Sequence, residues 1–359
     1  MTAGLYIHIP FCRKKCNYCD FYSLGGADFV PDEYVDAVLR EIRSYGDLVC
    51  RTVYFGGGTP SLLSPRQVSR ILSGLKTEAG AEITLEANPD TLTFEKLRGY
   101  YDAGVNRLSV GVQSVYDSSL ENLGRIHSAQ KAKEAFENAK KAGFVNISGD
   151  LMIGINNYSK KELFDTVDFL ADCGCVHISA YMLKVEKGTP FYENRPENLA
   201  DEDEMADYYL AACEKLKEKG YIQYEISNFC KAGYESRHNS IYWRLENYLG
   251  IGPRAHSCLD GKRFYYERDL KKFISGAEPI FDGEVDADDC IMLSLRLKEG
   301  LDLCVLAEKW GVVLPKTAYK KLELMQSAGL INFDGKTVSL TPRGFLVENG
   351  IASEIMMYN

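Results

Sequence analysis

Three cysteines near the start of the chain have the type and spacing of a metal-binding loop. Cys12, Cys16 and Cys19 follow the apolar run Tyr6–Pro10 in a C-x3-C-x2-C pattern. Cysteine thiolates are the usual protein ligands of iron–sulfur clusters. Three thiolates on one short loop can each bind one iron of a [4Fe–4S] cluster, which leaves the fourth iron open to an outside ligand. The pattern therefore predicts such a cluster.

S-Adenosylmethionine (SAM) suits the open iron, because its amino nitrogen and carboxylate oxygen can both coordinate it. Electron transfer from the cluster can then cleave SAM to a 5′-deoxyadenosyl radical, a chemistry that belongs to the cofactors. The alternative is a structural zinc site. Zinc usually takes four Cys or His ligands with C-x2-C pairs, and His8 is the only nearby candidate for a fourth. The other eight of the 11 cysteines are scattered, and we expect ordinary buried or incidental thiols there.

Alternating strand and helix patterns in the first half of the chain must position this loop. Such alternation indicates a parallel sheet with right-handed crossovers. Six units are fewer than the eight of a closed barrel, so we expect an α/β fold with a partial, open (β/α)6 barrel whose active groups lie at the C-terminal ends of the strands. The predicted strands are Leu5–Ile9, Thr52–Phe55, Glu82–Glu86, Arg107–Val112, Asn146–Ile153 and Val176–Leu183. The predicted helices between them are Asp32–Arg43, Pro65–Thr77, Thr93–Ala103, Ala129–Ala142 and Lys160–Cys173.

The pattern changes toward the C-terminus. After a predicted helix at Asp201–Lys219 comes a loop-rich stretch, Tyr224–Leu259. Beyond about Pro279, two helices and a hairpin resemble a small winged-helix-like domain, so we expect a core domain over residues 1–270 and a C-terminal domain over residues 280–359. Eight Lys and Arg against twelve Asp and Glu in the latter favour a packing or lid role over DNA binding. The predicted elements are Leu301–Trp310, Lys316–Ala328, Ile331–Phe333 and Thr337–Leu340.

Composition indicates a soluble globular protein of a reducing compartment. The 359 residues are 45% hydrophobic and 26% charged. An odd number of cysteines without a secretory signal argues against a disulfide framework and favours the cytoplasm. The formal net charge of −9 shows no basic footprint for a nucleic acid, and no apolar run is long enough to span a membrane.

Further motifs occur where the predicted strands end. Tyr54–Pro60 contains Gly-Gly-Gly-Thr, whose glycines let the backbone approach a ligand closely. Leu85–Pro89 offers Glu86, and Leu108–Ser114 offers Gln113. Each of these residues alone is more often structural, but their common position at strand ends indicates one shared site. Two more candidates are Arg125, whose rigid fork suits a carboxylate, and Asp150 on the fifth strand.

With these motifs in this order, the chain resembles radical SAM proteins. From Tyr6 to about Ile351 it is similar to oxygen-independent coproporphyrinogen III oxidases and to their relatives, the HemW-type heme chaperones. The resemblance implies that the glycine loop bonds the SAM amino group and that Asp150 holds ribose hydroxyls. The SAM-binding residues that it implies are Tyr6, Tyr18, Gly57, Gly58, Thr59, Glu86, Gln113, Arg125 and Asp150.

Two features favour the chaperone branch. The oxidases carry another cysteine two residues after the third, where this chain has Phe21. In addition, His238-Asn239-Ser240-Ile241-Tyr242-Trp243 looks like the heme-binding signature of the chaperones, in a region expected near the open mouth of the barrel. Arg237 or Arg244 could meet the heme propionates. A lone His beside a Trp is more often a packed, hydrogen-bonded residue, and His256 is a competing axial ligand. The resemblance implies heme contacts at His238, Tyr242 and Trp243.

The leading hypothesis is therefore a chaperone that binds heme and delivers it to apo-hemoproteins such as respiratory enzymes at the membrane. Any membrane contact would be made through a protein partner, and a homodimer is left open. The alternatives are a coproporphyrinogen III oxidase and a radical SAM enzyme with an unrelated substrate. Phe21 argues against the first and the His238–Trp243 segment against the second, so we expect no oxidase activity.

Overall fold

A computed structural model describes residues 1–358. Six parallel strands stand side by side in chain order at the centre of a 12-stranded sheet. This arrangement confirms the expected strand–helix core. Between two neighbouring parallel strands, a crossover brings the chain back to the end of the sheet at which the strands begin. The strands are β1 (Thr2–Ile9), β2 (Val49–Gly57), β3 (Lys76–Ala87), β4 (Arg107–Gln113), β5 (Asn146–Ile153) and β6 (His177–Met182).

Helices cover the outer, apolar face of these strands. Ser64, Thr93, Ser128 and Ser159 each cap a helix by accepting a backbone N–H. The helices are α1 (Asp32–Ser44), α2 (Pro65–Ser73), α3 (Phe94–Ala103), α4 (Asp117–Asn122), α5 (Ala129–Ala142) and α6 (Lys160–Asp172). The prediction that α2 reaches Thr77 was wrong, since that residue pairs with β2 as part of β3.

The inner face of the strands is polar, which sets up the interior of the partial barrel. Strand side chains alternate between the two faces of a sheet. On β2, Val53 and Phe55 are buried in the apolar core against the helices, while Thr52 and Tyr54 face inward. The hydrogen bond from the Tyr54 hydroxyl to Glu86 of β3 runs across this inner face. The same alternation brings many of the predicted site residues into one enclosed space.

Shorter elements extend the sheet at both edges. On one side β8 and β7 follow β6; on the other, β9 pairs in parallel with β1, and β10, β11 and β12 follow it. The elements are α7 (Pro190–Glu193), α8 (Glu202–Glu218), β7 (Ile222–Gln223), β8 (Asn228–Cys230), α9 (Arg237–Trp243), β9 (Tyr248–Ile251), β10 (His256–Leu259), β11 (Lys262–Tyr265), α10 (Leu270–Ile274) and β12 (Ile280–Glu284). The loop-rich stretch predicted over Tyr224–Leu259 therefore contains a helix and several strands.

The C-terminal region combines helices with a small antiparallel sheet of order β13-β15-β14, as expected. Its elements are α11 (Ala287–Leu295), β13 (Leu301–Asp302), α12 (Leu303–Trp310), α13 (Lys316–Ser327), β14 (Ile331–Phe333), β15 (Thr337–Leu340), α14 (Pro342–Phe345) and α15 (Glu348–Met356). The domain boundary near residues 270–280 stays a prediction, and β12 belongs to the large sheet. Among residues 1–358, no helix has the length and apolar character needed to cross a membrane.

Candidate cofactor site

A cavity of about 430 Å³ opens at the C-terminal ends of the six parallel strands. The cysteine loop, residues 12–21, forms one wall, and the strand-end motifs form the others. The structure brings together on this cavity most of the residues predicted to hold the cluster and SAM. They are Cys12, Cys16, Tyr18, Cys19, Gly57, Gly58, Thr59, Glu86, Gln113, Arg125 and Asp150.

The three cysteines are free thiols, of which Cys12 is buried and the other two half-buried. The Thr59 hydroxyl donates to the Cys12 Sγ at 3.4 Å, and the Arg125 Nη1 lies 3.5 Å from the Cys16 Sγ. Burial raises the pKa of the Cys12 thiol and raises that of Cys19 to about 11. Burial thus disfavours the thiolate forms of Cys12 and Cys19, which a bond to iron would stabilise.

The glycine loop lies so close to the cysteine loop that no side chain would fit between them. A Cβ atom on Gly58 would lie 2.8 Å from the carbonyl oxygens of Ile9 and Phe11 and 3.0 Å from the Cys12 Sγ. A Cβ atom on Gly57 would lie 2.6 Å from the His8 ring, and its φ of +111° also favours glycine. This bare backbone, facing three thiols, fits a cluster and a ligand bound to it.

Two carboxyl groups are buried in the wall of the cavity. Glu86 accepts hydrogen bonds from the Tyr54 hydroxyl at 2.8 Å and from the Gly57 N–H at 3.2 Å. Burial raises the pKa of Glu86 from 4.5 to about 7, and it also raises the pKa of Asp150. The Ser109 hydroxyl donates to Asp150 at 3.2 Å. Carboxylates in such a setting suit the hydroxyl groups and positive charge of a nucleoside sulfonium like SAM.

Arg125 and Gln113 bring polar groups of the opposite kind. The Arg125 Nη2 donates to Asn88 Oδ1 at 2.8 Å and to the Gly111 carbonyl at 2.5 Å. Gln113 has a φ of +69°, which is unusual for a residue with a side chain. Among residues 1–358, the Gln113 Oε1 belongs to the buried side-chain atoms that have no hydrogen-bond partner. Both observations fit a residue held ready for a ligand.

Some residues of the site were missed by the sequence analysis. Asn88 was inside a quoted motif but had no role assigned, although it fixes Arg125. The mouth of the cavity is lined by the last residues of β5 and β6, by residues directly after β6 and by residues beside the cysteines, and the strand-end rule could have identified those at the end of β6. They include Lys14, Lys15, Met152, Tyr181, Met182, Leu183 and Lys184. Tyr6, for which a SAM contact was predicted, does not line this cavity, and its hydroxyl bonds to the His8 Nδ1 at 3.0 Å. Its contact with SAM stays a prediction.

The segment predicted to contact heme lies elsewhere. It forms α9, whose His238 is fully buried under the first half of β2. The His238 Nδ1 is 2.7 Å from the Thr52 Oγ1, and its Nε2 is 2.7 Å from the Tyr242 hydroxyl. The expectation that this segment borders the open mouth was wrong, because Thr52 is five residues before the glycine loop. Neither ring nitrogen of His238 is free for an iron.

The outer side of α9 borders a second cleft, of about 670 Å³. Arg237, Ser240, Ile241 and Arg244 of the segment line it, together with Arg51, Tyr224 and Lys298 from other elements. The Trp243 ring packs under the Arg296 guanidinium, 5.2 Å from the ring centre. Of the five histidines in the chain, His256 alone is exposed, and it stacks on Tyr265. The structure thus separates the predicted heme segment from the cysteine loop.

Comparison with known proteins identifies similar chains. The profile of the radical SAM superfamily matches residues 6–170, and that of the HemN C-terminal domain matches residues 282–347. The chain is 36% identical to the heme chaperone HemW of Bacillus subtilis, over 96% of this chain and 97% of the relative. It is 39% identical to the heme chaperone HemW of Escherichia coli, over 80% of this chain and 79% of the relative.

Among solved structures, the coproporphyrinogen III oxidase HemN of Escherichia coli, a radical SAM enzyme, superposes with a TM-score of 0.82. The match covers 99% of this chain and 90% of that one, at 22% sequence identity. At this identity the likeness concerns the fold alone. The α/β fold with a partial barrel and a small C-terminal domain is therefore common to the two chains.

Proposed function

The chain belongs to the HemW family of the radical SAM superfamily, and on that premise we propose that it is a heme chaperone. It binds heme, carries a [4Fe–4S] cluster with SAM on it, and delivers the heme to apo-hemoproteins. The observation that carries the heme part of the proposal is the similarity to proteins named heme chaperone over nearly the full length of both chains. The cavity described above supports the cofactor part.

In the cofactor cavity, we propose that Cys12, Cys16 and Cys19 hold the cluster. When bound, the cluster supplies an open iron for SAM and an electron. The glycine loop lets SAM approach, and Arg125, with the Cys16 thiolate and Asn88 as partners, keeps a positive charge beside the cluster. Two carboxylates, Glu86 and Asp150, then face the nucleoside part.

For heme, we propose the cleft beside α9. Its volume lies in the range of roughly 300–1,000 Å³ that is typical of small-molecule sites. Arg237 and Arg244 supply guanidinium groups for two propionates, and Ile241 and Leu297 supply apolar surface. Contacts from Tyr242 and Trp243 remain part of the prediction. An axial bond from His238 would require one of its two hydrogen bonds to break and the fully buried ring to become accessible. We therefore propose that the segment binds the porphyrin edge and leaves the iron to another ligand.

The test is a heme titration of the reconstituted chain with cluster and SAM present. Wild type should show a Soret shift, and each of the single variants Arg237→Ala and Arg244→Ala should bind heme about ten- to a hundredfold more weakly, since a bond to a charged group contributes about 1.5–3 kcal/mol. Arg98→Ala is the control, because Arg98 pairs with Asp102 at the surface, as Arg244 pairs with Glu299, but does not line the cleft. A wild-type chain without a Soret shift would refute the chaperone proposal.

The axial ligand is tested by the spectrum. His238→Ala and His256→Ala are compared, because loss of an axial imidazole changes the coordination of the iron even where the porphyrin stays bound. We expect His238→Ala to keep the wild-type Soret position. A spectrum that changes in His238→Ala and not in His256→Ala would reinstate His238 as the ligand.

The wider context is proposed on the same premise. We place the chain in the cytoplasm and its clients among apo-hemoproteins, including membrane-bound respiratory enzymes reached through a protein contact. Self-association to a homodimer is part of the proposal, and sedimentation of the heme-loaded chain would test it.

A coproporphyrinogen III oxidase is the second candidate, favoured by the HemN-like fold. Phe21 occupies the position of the oxidases' additional cysteine, and its side chain is 62% exposed at the mouth of the cofactor cavity. We expect no protoporphyrinogen from coproporphyrinogen III in an anaerobic assay of the reconstituted chain. Multiple turnovers would replace the chaperone proposal with the oxidase.

A further inference from the structure

An aromatic column fills the interior of the barrel below the cofactor cavity. It consists of Tyr6 on β1, Tyr54 on β2, and His238 and Tyr242 on α9. The ring centres of His238 and Tyr54 are 4.9 Å apart, and the planes are nearly parallel at 23°. Tyr6 stacks on Tyr54 at 6.1 Å and on His238 at 6.4 Å. The column thus connects α9 to two central strands.

At the end nearest the cofactor cavity, the aromatic column contacts the carboxyl group of Glu86. The Tyr54 hydroxyl donates to Glu86 Oε1 at 2.8 Å. His238 contacts β2 twice, through its ring on Tyr54 and through its Nδ1 on Thr52, two residues earlier on the same face. The orientation of the Tyr54 ring, and with it the donor to Glu86, therefore depends on His238.

Hydrogen bonds at its N-terminus stabilise α9, the helix that carries His238. The carboxylate of Glu82 on β3 accepts the backbone N–H groups of Arg237 at 3.1 Å and His238 at 3.0 Å. Ser236 caps the same turn by accepting the N–H of Asn239. A negative charge at a helix N-terminus is favourable, so α9 gives the imidazole a fixed place. Burial lowers the pKa of His238 to about 3, which keeps the ring neutral next to Tyr54.

We propose that His238 is a positioning residue of the SAM site: its ring holds Tyr54 so that the tyrosine hydroxyl donates to Glu86. This inference rests on the SAM part of the proposed function and needs no heme. It also explains why a histidine stands in the segment while both of its nitrogens face the protein.

The experiment measures SAM affinity of the cluster-loaded chain as a function of pH by calorimetry. The carboxylate form of Glu86 favours the hydroxyl groups and the sulfonium charge of SAM, so affinity should rise with pH through the pKa of Glu86. A lost donor raises that pKa and moves the midpoint to higher pH. The titratable and charged groups that act on Glu86 are Tyr6, Tyr54, Arg107, Asp150, Tyr181 and Tyr242.

Tyr54→Phe removes the donor and keeps the ring, and we expect its midpoint to rise by about one pH unit, a tenfold change in the ionisation ratio. His238→Ala should move the midpoint in the same direction. The matched control is His177→Ala. His177 is also fully buried and bonds to two hydroxyls, those of Ser148 at 2.7 Å and Tyr224 at 2.9 Å, but it does not stack on Tyr54. Its midpoint should stay at the wild-type pH.

A general structural role would lower the stability of both histidine variants and leave both midpoints in place. Equal midpoints for His238→Ala and wild type, or equal shifts for the two histidine variants, would overturn the proposal. If His238→Ala does not fold, Thr52→Val takes one hydrogen bond from His238 at nearly constant volume and should give a smaller upward shift; an unchanged midpoint there would also overturn it. A wild type that binds no SAM would refute the proposed cofactor instead.

Discussion

Replacing Glu86 by glutamine should stabilise the fold at alkaline pH while it weakens SAM binding. The carboxyl group has an ordinary pKa of 4.5 and a pKa of about 7 in the folded chain, because burial disfavours its charged form. Between these two values the folded state binds the proton more tightly than the unfolded state does. Stability is therefore lost as pH rises through this interval, and the full penalty applies above about pH 7.

The size of the effect follows from the shift. At 1.36 kcal/mol per pKa unit, the change from 4.5 to about 7 corresponds to about 3 kcal/mol. Urea unfolding without SAM gives the free energy of unfolding of Glu86→Gln and of wild type. The value for Glu86→Gln minus the value for wild type should increase by about this amount from about pH 4.5 to about pH 8.5. Fixed effects of the amide, such as an unpaired NH₂, cancel in this pH-dependent difference.

Glu225 provides the matched control. Burial also raises its pKa to about 7, and it accepts the Ser227 N–H at 2.8 Å outside the cofactor cavity. Glu225→Gln should show a similar increase in stability relative to wild type as pH rises, but it should bind SAM as tightly as wild type does. Glu86→Gln should bind SAM more weakly. A stability difference for Glu86→Gln that is the same at both pH values would refute the reasoning.

Other expectations concern the same cavity. Replacing all three loop cysteines by serine should abolish the charge-transfer absorbance of the reconstituted cluster; about four irons per chain in that variant would contradict the assignment. Asp150→Ala should weaken SAM binding about ten- to a hundredfold in calorimetry, by about 1.5–3 kcal/mol, without loss of iron; unchanged affinity would count against this pocket. Gly58→Ala should destabilise the chain by about 1–3 kcal/mol in urea unfolding, because its Cβ would meet two carbonyl oxygens at 2.8 Å. Gly350→Ala, where a Cβ would meet nothing within 4 Å, is the control and should not destabilise it.

Much of the parallel core could be predicted because its signals are local. β5 has the predicted bounds, Asn146–Ile153, since Gly143 ends the preceding helix with a φ of +109° and alternation marks the strand. The seven-residue helix α9 could not be predicted in this way. A helix this short gains little from its own hydrogen bonds, and the groups that fix it are Glu82 and Thr52, which lie far away in the sequence.

The candidate site divides along the same line. Spacing alone located the cysteine loop, and strand ends located Glu86 and Asp150. Tyr54 lies in the motif Tyr54–Pro60, but its hydrogen bond to Glu86 was not predicted. This contact depends on the register between β2 and β3. The direction of the His238 side chain was likewise beyond the sequence, since a short pattern says which residues are neighbours and not which way they face.

The strand that leads into the cysteine loop, β1, gains its second neighbour in the sheet only late in synthesis. β1 is paired on one side by β2, but on the other by β9, where Gly4–Ile7 meets Tyr248–Ile251. Contacts between segments so far apart in sequence slow folding, because a long loop must close before they form. A chain still on the ribosome therefore exposes one edge of β1 and lacks α9 beneath the site. We expect iron loading to follow release of the full chain, and nascent chains cut before residue 248 to need protection of that open edge.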